Sequence, residues 1–292
     1  RVVHGIDPFD PKFNIVSPGV DPEVYFPPGE DHRRLRHLLP GIREQVFGEP
    51  QDGASRGKLA EPDRPLLFTM ARLDKVKNLS GLVEWYGQSD ALRERANLLV
   101  AGGYLDTERS DDDDEKREIE KMHRLMDRHD LDRDVRWLEG QVDRERNGEL
   151  YRFVADCRGA FVQPAVFEAF GLTVIEAMST GLPVFATCYG GPLEIVEDGI
   201  SGFHIDPNHG DAAADIMERF FARCADDPGE WDRISRGALD RVAARYTWAR
   251  YAERVMTLAK VYGFWRHHAN RHRHQNHPNR TKLVGLQIRT LA

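Results

Sequence analysis

The chain has 292 residues, of which 40% are hydrophobic and 30% charged, and its formal net charge is −7. This composition predicts a globular protein with a full core, and the acidic balance argues against nucleic-acid binding, which needs a broad basic face. The sequence has no run of 18 apolar residues to span a bilayer, and its first residues lack the layout of a signal peptide. We therefore expect a cytoplasmic protein that binds neither nucleic acid nor membrane.

The chain alternates short apolar runs with amphipathic stretches from residue 66 onward. Residues 1–30 read as an incoming strand and linker from a preceding domain, and residues 49–65 read as a polar loop. The predicted strands are Leu66 to Met70, Leu98 to Ala101, Val135 to Leu138, Ala160 to Gln163, Val184 to Ala186 and Phe203 to Ile205. The alternation predicts an α/β fold, a doubly wound parallel sheet of Rossmann-like type over residues 31–246, with ligands at the carboxyl ends of the strands.

Helical periodicity lies between the predicted strands. Leu150, Val154 and Cys157 recur at helical spacing, and we predict Asn147 as the N-cap of this helix and Gly159 as its C-terminal stop. The four aspartates at 111–114 open a charged helix that runs to Met126, and a shorter helix runs from about Gly171 to Gly181.

Several possible site signals are better explained without function. The tail, residues 266–292, holds six Lys or Arg, no acid and five of the twelve histidines, and we interpret it as a divergent or disordered end rather than a metal site. The three cysteines lack metal-ligand spacing. The glycine pair at 102–103 follows a strand, but the G-x-G-x-x-G pattern of dinucleotide oxidoreductases is absent.

Two glutamates, Glu168 and Glu176, flank the predicted helix start in FEAFGLTVIEAM. The free N–H groups from Gly171 to Val174 would form an anion site at the helix N-terminus. Eight helical residues span about 12 Å, which suits a diphosphate with one attached group near each carboxylate, as in a nucleotide-sugar. The alternative is that Glu176 lies on a solvated helix face.

Two cations follow the first strand of the predicted sheet in MARLDKVKN, and these are Arg72 and Lys77. A guanidinium can bind two phosphate oxygens at once, and an ammonium adds a point charge. Their place at the carboxyl end of a strand indicates a phosphate-neutralising pair, although any single exposed cation is more often only solvated.

The motifs EAFGLTVIE, MARLDKVKN, GLVEWYG, RNGELYR, GAFVQP and GLPVFATCYGGPLEIVEDGISGFHIDP together resemble the sucrose synthase family. These are retaining glycosyltransferases of GT-B architecture, and the likeness runs from Arg1 to about Trp265. It implies that this chain is the C-terminal, donor-binding half of such an enzyme, that an N-terminal domain is missing, and that residues 247–265 form the crossover helix.

The resemblance also implies the chemistry, a reversible transfer of glucose between an NDP-glucose and fructose that makes or cleaves sucrose with retention. Arg72 and Lys77 would hold the diphosphate, Glu176 the ribose, and Glu168 the glucosyl group. Under this resemblance the donor-binding residues are Gln141, Asn147, Phe170, Gly171, Leu172, Thr173 and Glu176. No metal or other cofactor is implied, since Arg72 and Lys77 would neutralise the diphosphate in place of a metal ion. No general base is implied either, since the leaving phosphate can take the proton of the acceptor.

Three alternatives stay open on the sequence alone. The nucleotide is UDP or ADP, the acceptor is fructose or, as in a sucrose-phosphate synthase, fructose 6-phosphate, and the chain is catalytic or a nucleotide-binding fragment. Because half of the cleft would be missing, we expect the isolated chain to bind nucleotide and to be weakly active or inactive. The family implies a homotetramer.

Overall fold

The computed structural model describes residues 20–51 and 53–275. The predictions for residues 1–19 and 276–292, which include the start of the incoming strand and the end of the basic tail, lie outside the described residues. The chain divides into two compact units, one of them residues 20–245 and the other including residues 246–275.

A seven-stranded sheet forms the centre of the first unit, in the order β1-β4-β3-β2-β5-β6-β7. The strands are β1 (Ser55–Arg56), β2 (Leu66–Met70), β3 (Asn97–Ala101), β4 (Val135–Leu138), β5 (Ala160–Gln163), β6 (Val184–Thr187) and β7 (Phe203–Ile205). All neighbours pair in parallel except β1, which runs antiparallel to β4. The chain winds outward from β2 to one edge and from β5 to the other, which confirms the doubly wound fold and places the switch point between β2 and β5.

The six predicted strands are all present, each within one residue of its predicted bounds. The prediction of a polar loop over residues 49–65 was incomplete, because β1 lies within it. Ser55 and Arg56 pair with Leu138 and Trp137 at the sheet edge. A two-residue strand has no apolar alternation, so it leaves no signal in the sequence.

Helices flank the sheet and follow it in the chain. They are α1 (Leu39–Phe47), α2 (Leu79–Gln88), α3 (Asp90–Arg95), α4 (Asp113–Arg128), α5 (Arg144–Asp156), α6 (Leu172–Ser179), α7 (Pro192–Ile195), α8 (Gly210–Asp226) and α9 (Gly229–Arg245). The charged helix after the aspartates is confirmed as α4, with the Asp112 side chain accepting from the Asp114 amide at its N-terminus.

The predicted N-cap of α5 was wrong. The helix begins at Arg144, and the Asp143 side chain accepts the Arg146 amide hydrogen at 3.1 Å. Asn147 lies in the first turn of the helix instead and is 8% exposed. Both residue types favour caps, so the sequence pattern could not choose between two candidates four positions apart.

Strand β2 is buried along almost its whole length, as expected for a parallel strand covered on both faces. The Phe68 ring meets Tyr151 and Phe161 edge-on at centroid distances of 5.3 and 5.7 Å. On the other side of the switch point, Phe185 packs against Phe203 at 5.3 Å. These aromatic contacts fix β2, β5 and α5 around the middle of the sheet.

A buried ion network ties the segment before the sheet to α5. Glu149 is fully buried and accepts from Arg34 at 2.9 Å, from Arg152 at 2.9 Å and from the Leu35 amide at 2.8 Å. Although burial acts to raise the pKa of Glu149, the hydrogen bonds of Arg152 and Leu35 hold it below its ordinary value. The charged pairs stay buried because almost every acceptor site is used.

The second unit contains helix α10, Trp248–Gln275, with the Trp248 and Tyr251 rings edge-to-face at 6.1 Å. The predicted crossover helix over residues 247–265 is a helix, and it extends further, so that residues 266–275 of the predicted tail are also helical. No helix among the described residues is long and apolar enough to cross a membrane.

Replacing Glu149 by Ala should lower the free energy of unfolding by about 3–5 kcal/mol, because two buried arginines would lose their counter-charge. The exposed Glu145→Ala on the same helix is the matched control and should change stability by less than about 0.5 kcal/mol. Urea unfolding of both variants measures the difference. Equal stability of the two variants would show that the network does not hold the segment to α5.

Candidate functional site

A cavity of about 720 Å³ opens at the carboxyl ends of β2, β3 and β4, beside the switch point. This size is within the range of small-molecule sites. Its wall combines the loops after these three strands with residues of α5 and α6. The lining residues include Tyr25, Arg72, Tyr104, Gln141, Arg144, Asn147, Thr173 and Glu176.

The structure brings five of the ten predicted site residues to this one wall, although they come from four separate parts of the chain. They are Arg72, Gln141, Asn147, Thr173 and Glu176. The other five lie outside the wall, in or beside the loop after β5 or, for Lys77, before α2. The predicted residues thus form two groups, one around the cavity and one around Glu168.

Arg72 is the most exposed cation of the wall, with 82% of its side chain accessible. Its guanidinium contacts the Asp74 carboxylate at 3.1 Å, a single ion pair at the surface. Such pairs contribute little to stability. Most of the guanidinium donors therefore stay available to an anion in the cavity.

Asn147 and Gln141 form the part of the wall near β4. The Gln141 side-chain amide donates to the Glu139 carbonyl at 2.6 Å. The side-chain oxygen of Asn147 is buried and has no hydrogen-bond partner among the described residues. A buried carboxamide oxygen without a partner is costly, and a ligand donor in the cavity would satisfy it.

Lys77 and Glu168 form a direct ion pair, which the sequence did not predict. The Lys77 ammonium lies 2.6 Å from the Glu168 carboxylate, and the Gln163 side-chain amide donates to the same oxygen at 2.9 Å. The other oxygen accepts long hydrogen bonds from the amides of Phe170 and Gly171 at 3.4 and 3.3 Å. Burial opposes ionisation of Glu168, but Lys77 and these amides hold its pKa below the ordinary value. Glu168 is therefore an anchored carboxylate.

The start of α6 depends on Gly171, whose φ of +83° lies in the left-handed region. A Cβ there would come within 2.8 Å of the Ile195 side chain. Both the positive φ and the lack of space therefore favour glycine at this position. The predicted helix start is confirmed, with α6 beginning at Leu172. Of the amides predicted to face an anion, that of Gly171 is already engaged by Glu168.

Glu176 does not face solvent as the alternative reading proposed, because it is half-buried in the cavity wall. Burial raises the pKa of its carboxyl to about 7, against the opposing effects of the Tyr25 hydroxyl, the Arg144 charge and the Tyr151 hydroxyl. A carboxyl poised near neutrality in a cleft is a frequent feature of functional sites.

Sequence reasoning missed three residues of the two groups. Gln163 could have been found, since a polar residue at the end of a buried strand points to the ligand edge of the sheet. Tyr25 and Arg144 carry no such signal, because only the folded chain places them beside Glu176. Among residues 20–51 and 53–275 no cluster of three His, Cys, Asp or Glu side chains could hold a metal ion.

Two family models match the chain. One, described as "Glycosyl transferases group 1", covers residues 51–226. The other, described as "Sucrose synthase first GT-B domain", covers residues 1–47. The junction between the two matches lies between α1 and β1.

The chain is 55% identical over all 292 residues to the sucrose synthase of Nitrosomonas europaea, and it spans 37% of the length of that protein. It is 57% identical over 267 residues, 91% of the chain, to sucrose synthase 3 of Arabidopsis thaliana and spans 33% of that protein. Among solved structures, it is similar to the sucrose-phosphate synthase of Thermosynechococcus elongatus, with a TM-score of 0.58 and 25% identity over 83% of the chain and 50% of that protein.

Glu176→Gln should remove a pH dependence of stability. Because the folded-state pKa of Glu176 is raised to about 7, its stabilising contribution is present in acid and lost as pH rises through about 7. Relative to the variant, the native chain should lose about 1–3 kcal/mol of unfolding free energy between pH 5 and pH 8.

Urea unfolding at both pH values measures this difference, with Glu94→Gln as a control on an exposed glutamate. If the unfolding free energies of the native chain and of Glu176→Gln change in parallel with pH, the carboxyl of Glu176 is ionised at both pH values and burial does not raise its pKa.

Proposed function

Because the chain belongs to the group 1 glycosyltransferase family, we propose that it is the donor-binding half of a sucrose-synthase-like glucosyltransferase. The reaction is the reversible transfer of glucose between UDP- or ADP-glucose and fructose, with retention at the anomeric carbon. The observation that carries the proposal is the cavity at the switch point, which unites Arg72, Asn147 and Glu176. The identity to sucrose synthases over the whole chain supports the choice of substrates.

The nucleotide would lie along the cavity wall. Arg72 would bind diphosphate oxygens with its free donors, and the Glu176 carboxylate would accept the ribose hydroxyls. Gln141 and Asn147 would contact the base, where the unpartnered oxygen of Asn147 can accept a base N–H. Thr173 and the first amides of α6 would lie next to the diphosphate, where a helix N-terminus favours negative charge.

The reacting end of the donor would lie at the Lys77–Glu168 pair. Lys77 would share its charge between Glu168 and the diphosphate as the bond from the anomeric carbon to the phosphate oxygen breaks. Glu168, with the backbone of Phe170, Gly171 and Leu172, would orient the glucosyl group. A positive charge that the protein holds in place beside a leaving group stabilises the negative charge that develops there. Such electrostatic stabilisation is usually the largest contribution to catalysis.

In this scheme the acceptor hydroxyl attacks on the face from which the diphosphate departs, and the leaving phosphate oxygen takes its proton. The chain then needs neither a general base nor a metal ion. The charge of the diphosphate is met by Arg72, Lys77 and backbone amides instead.

The chain spans only 33–37% of the two sucrose synthases above, so the remainder of such a protein would supply the acceptor side. Within this proposal residues 1–30 connect that part to the donor domain (31–246), followed by a crossover helix (247–265) and a basic tail (266–292). Alone, the chain would bind nucleotide and turn over weakly, since an open cleft admits water. A homotetramer and a cytoplasmic location also belong to the proposal. The three cysteines are free thiols, which is consistent with a reducing compartment.

Two alternatives are less well supported. A sucrose-phosphate synthase would use fructose 6-phosphate, but the solved enzyme of that name is 25% identical, against 55% for a sucrose synthase. A purely nucleotide-binding fragment would keep the cavity and lack turnover even when the rest of the protein is present.

Calorimetric titration of this chain with UDP and ADP in EDTA tests the donor site. Arg72→Ala should weaken binding of the preferred nucleotide by about 1.5–3 kcal/mol, roughly 10- to 150-fold, because a charged hydrogen-bond partner of the diphosphate is removed. The matched control is Arg219→Ala, an exposed arginine on α8, which should leave affinity unchanged.

Equal affinity of Arg72→Ala and the control variant would remove Arg72 from the site. Binding that appears only after a divalent cation is added would contradict the metal-free scheme. Absence of binding by the unaltered chain would contradict the proposal that this half holds the donor.

A further inference from the structure

Tyr25 reaches the candidate nucleotide cavity from outside the sheet. It follows a turn, in the segment that precedes α1, in which its own amide donates to the Asp21 carbonyl at 2.9 Å, yet its side chain is 7% exposed and lines the same wall as Glu176. Its ring packs edge-on against Tyr151 of α5 at 5.8 Å and 78°. The Tyr151 ring therefore supports the Tyr25 ring within the wall that Glu176 also lines.

The Tyr25 hydroxyl lies close enough to Glu176 in the cavity wall to act against the rise in the pKa of that carboxyl. Burial, followed by the negative charge of Glu176, raises the pKa of Tyr25 well above its ordinary value. The phenol stays protonated at neutral pH and can donate only through its single O–H. The protein itself thus places a hydroxyl donor near Glu176, in addition to any donor that a ligand brings.

The backbone beside Tyr25 is anchored as firmly as its ring. The Val24 carbonyl accepts from the Arg152 guanidinium at 2.7 Å, and that guanidinium lies 3.8 Å above the Phe26 ring. Asp21 contacts Arg144 at 3.3 Å, and Arg144 in turn acts on Glu176 and lines the cavity. The segment therefore influences the pKa of Glu176 in two ways, through the Tyr25 hydroxyl and through Arg144, which Asp21 contacts.

We propose that Tyr25 is a positioning residue of the nucleotide site, whose hydroxyl orients the Glu176 carboxylate so that it accepts the ribose hydroxyls. The inference rests on the proposed nucleotide function. It also assigns part of the donor site to residues 20–26, which lie within the match to the first GT-B domain of sucrose synthases rather than within the group 1 match. The donor site of this half is incomplete without the segment that leads into it.

The test is a thermodynamic cycle that removes the Tyr25 hydroxyl from the protein and the two ribose hydroxyls from the ligand, separately and together. Tyr25→Phe keeps the ring and removes the hydroxyl, and the ligands are UDP or ADP, whichever binds more tightly, and its 2′,3′-dideoxy counterpart. The variant should bind the ribonucleotide about 3- to 10-fold more weakly, the effect of one hydrogen bond. It should bind the dideoxynucleotide as well as the native chain does, because no ribose hydroxyl is left for Glu176 to accept.

Tyr104→Phe is the matched control, since Tyr104 lines the same cavity and is not among the groups that act on Glu176. Its effect should be the same for both ligands. An equal loss of both ligands by Tyr25→Phe, or no loss, would overturn the positioning role while leaving the donor site in place. Failure of the native chain to bind either nucleotide would overturn the proposed function and this inference together.

Hydrogen–deuterium exchange of the native chain gives a second measurement that needs no variant. The ribonucleotide should slow exchange across residues 20–26, and the dideoxynucleotide should slow it less at equal saturation. Identical protection by the two ligands would show that the segment does not sense the ribose and would contradict the inference.

Discussion

The parallel pairing of β2 with β5 is the constraint on which the site depends. It places the loop after β2 beside the loop after β5, which are far apart in the chain. Three contacts then join the loops, the Val166 amide to the Val76 carbonyl at 2.9 Å, the Asn78 side chain to the Pro164 carbonyl at 3.0 Å, and Lys77 to Glu168. Without this pairing the cations of one loop and the carboxylate of the other would not lie next to each other.

The two loops are held by backbone geometry as well as by charge. Asn78 adopts the left-handed conformation, with φ of 57°, immediately before α2. Asparagine tolerates this region better than most residues, and here its side chain also bridges to the neighbouring loop. A Cβ at Gly81 would come within 2.2 Å of that side chain, so the first turn of α2 has room for the bridge only with glycine.

Two buried glutamates and the half-buried Glu176 show how the surroundings decide what a carboxylate can do. Glu149 is matched by arginines and serves the fold, whereas Glu168 is matched by Lys77 at the edge of the sheet. Glu176 faces the neutral hydroxyl of Tyr25, so burial dominates and its pKa rises to about 7. Charged partners lower the pKa of a buried acid and desolvation raises it, which is why three identical side chains have different properties.

The sequence by itself determined the positions of β2 to β7, the sheet type and the place of Arg72 directly after β2, because strand burial and strand-end polarity are local patterns. It could not determine that Asp143 rather than Asn147 caps α5, since both residue types favour caps and lie four positions apart. The tertiary structure alone decided that Lys77 pairs with Glu168 and that Tyr25 reaches Glu176. Those contacts join segments distant in the chain, and their geometry follows from sheet order and packing, which no local pattern encodes.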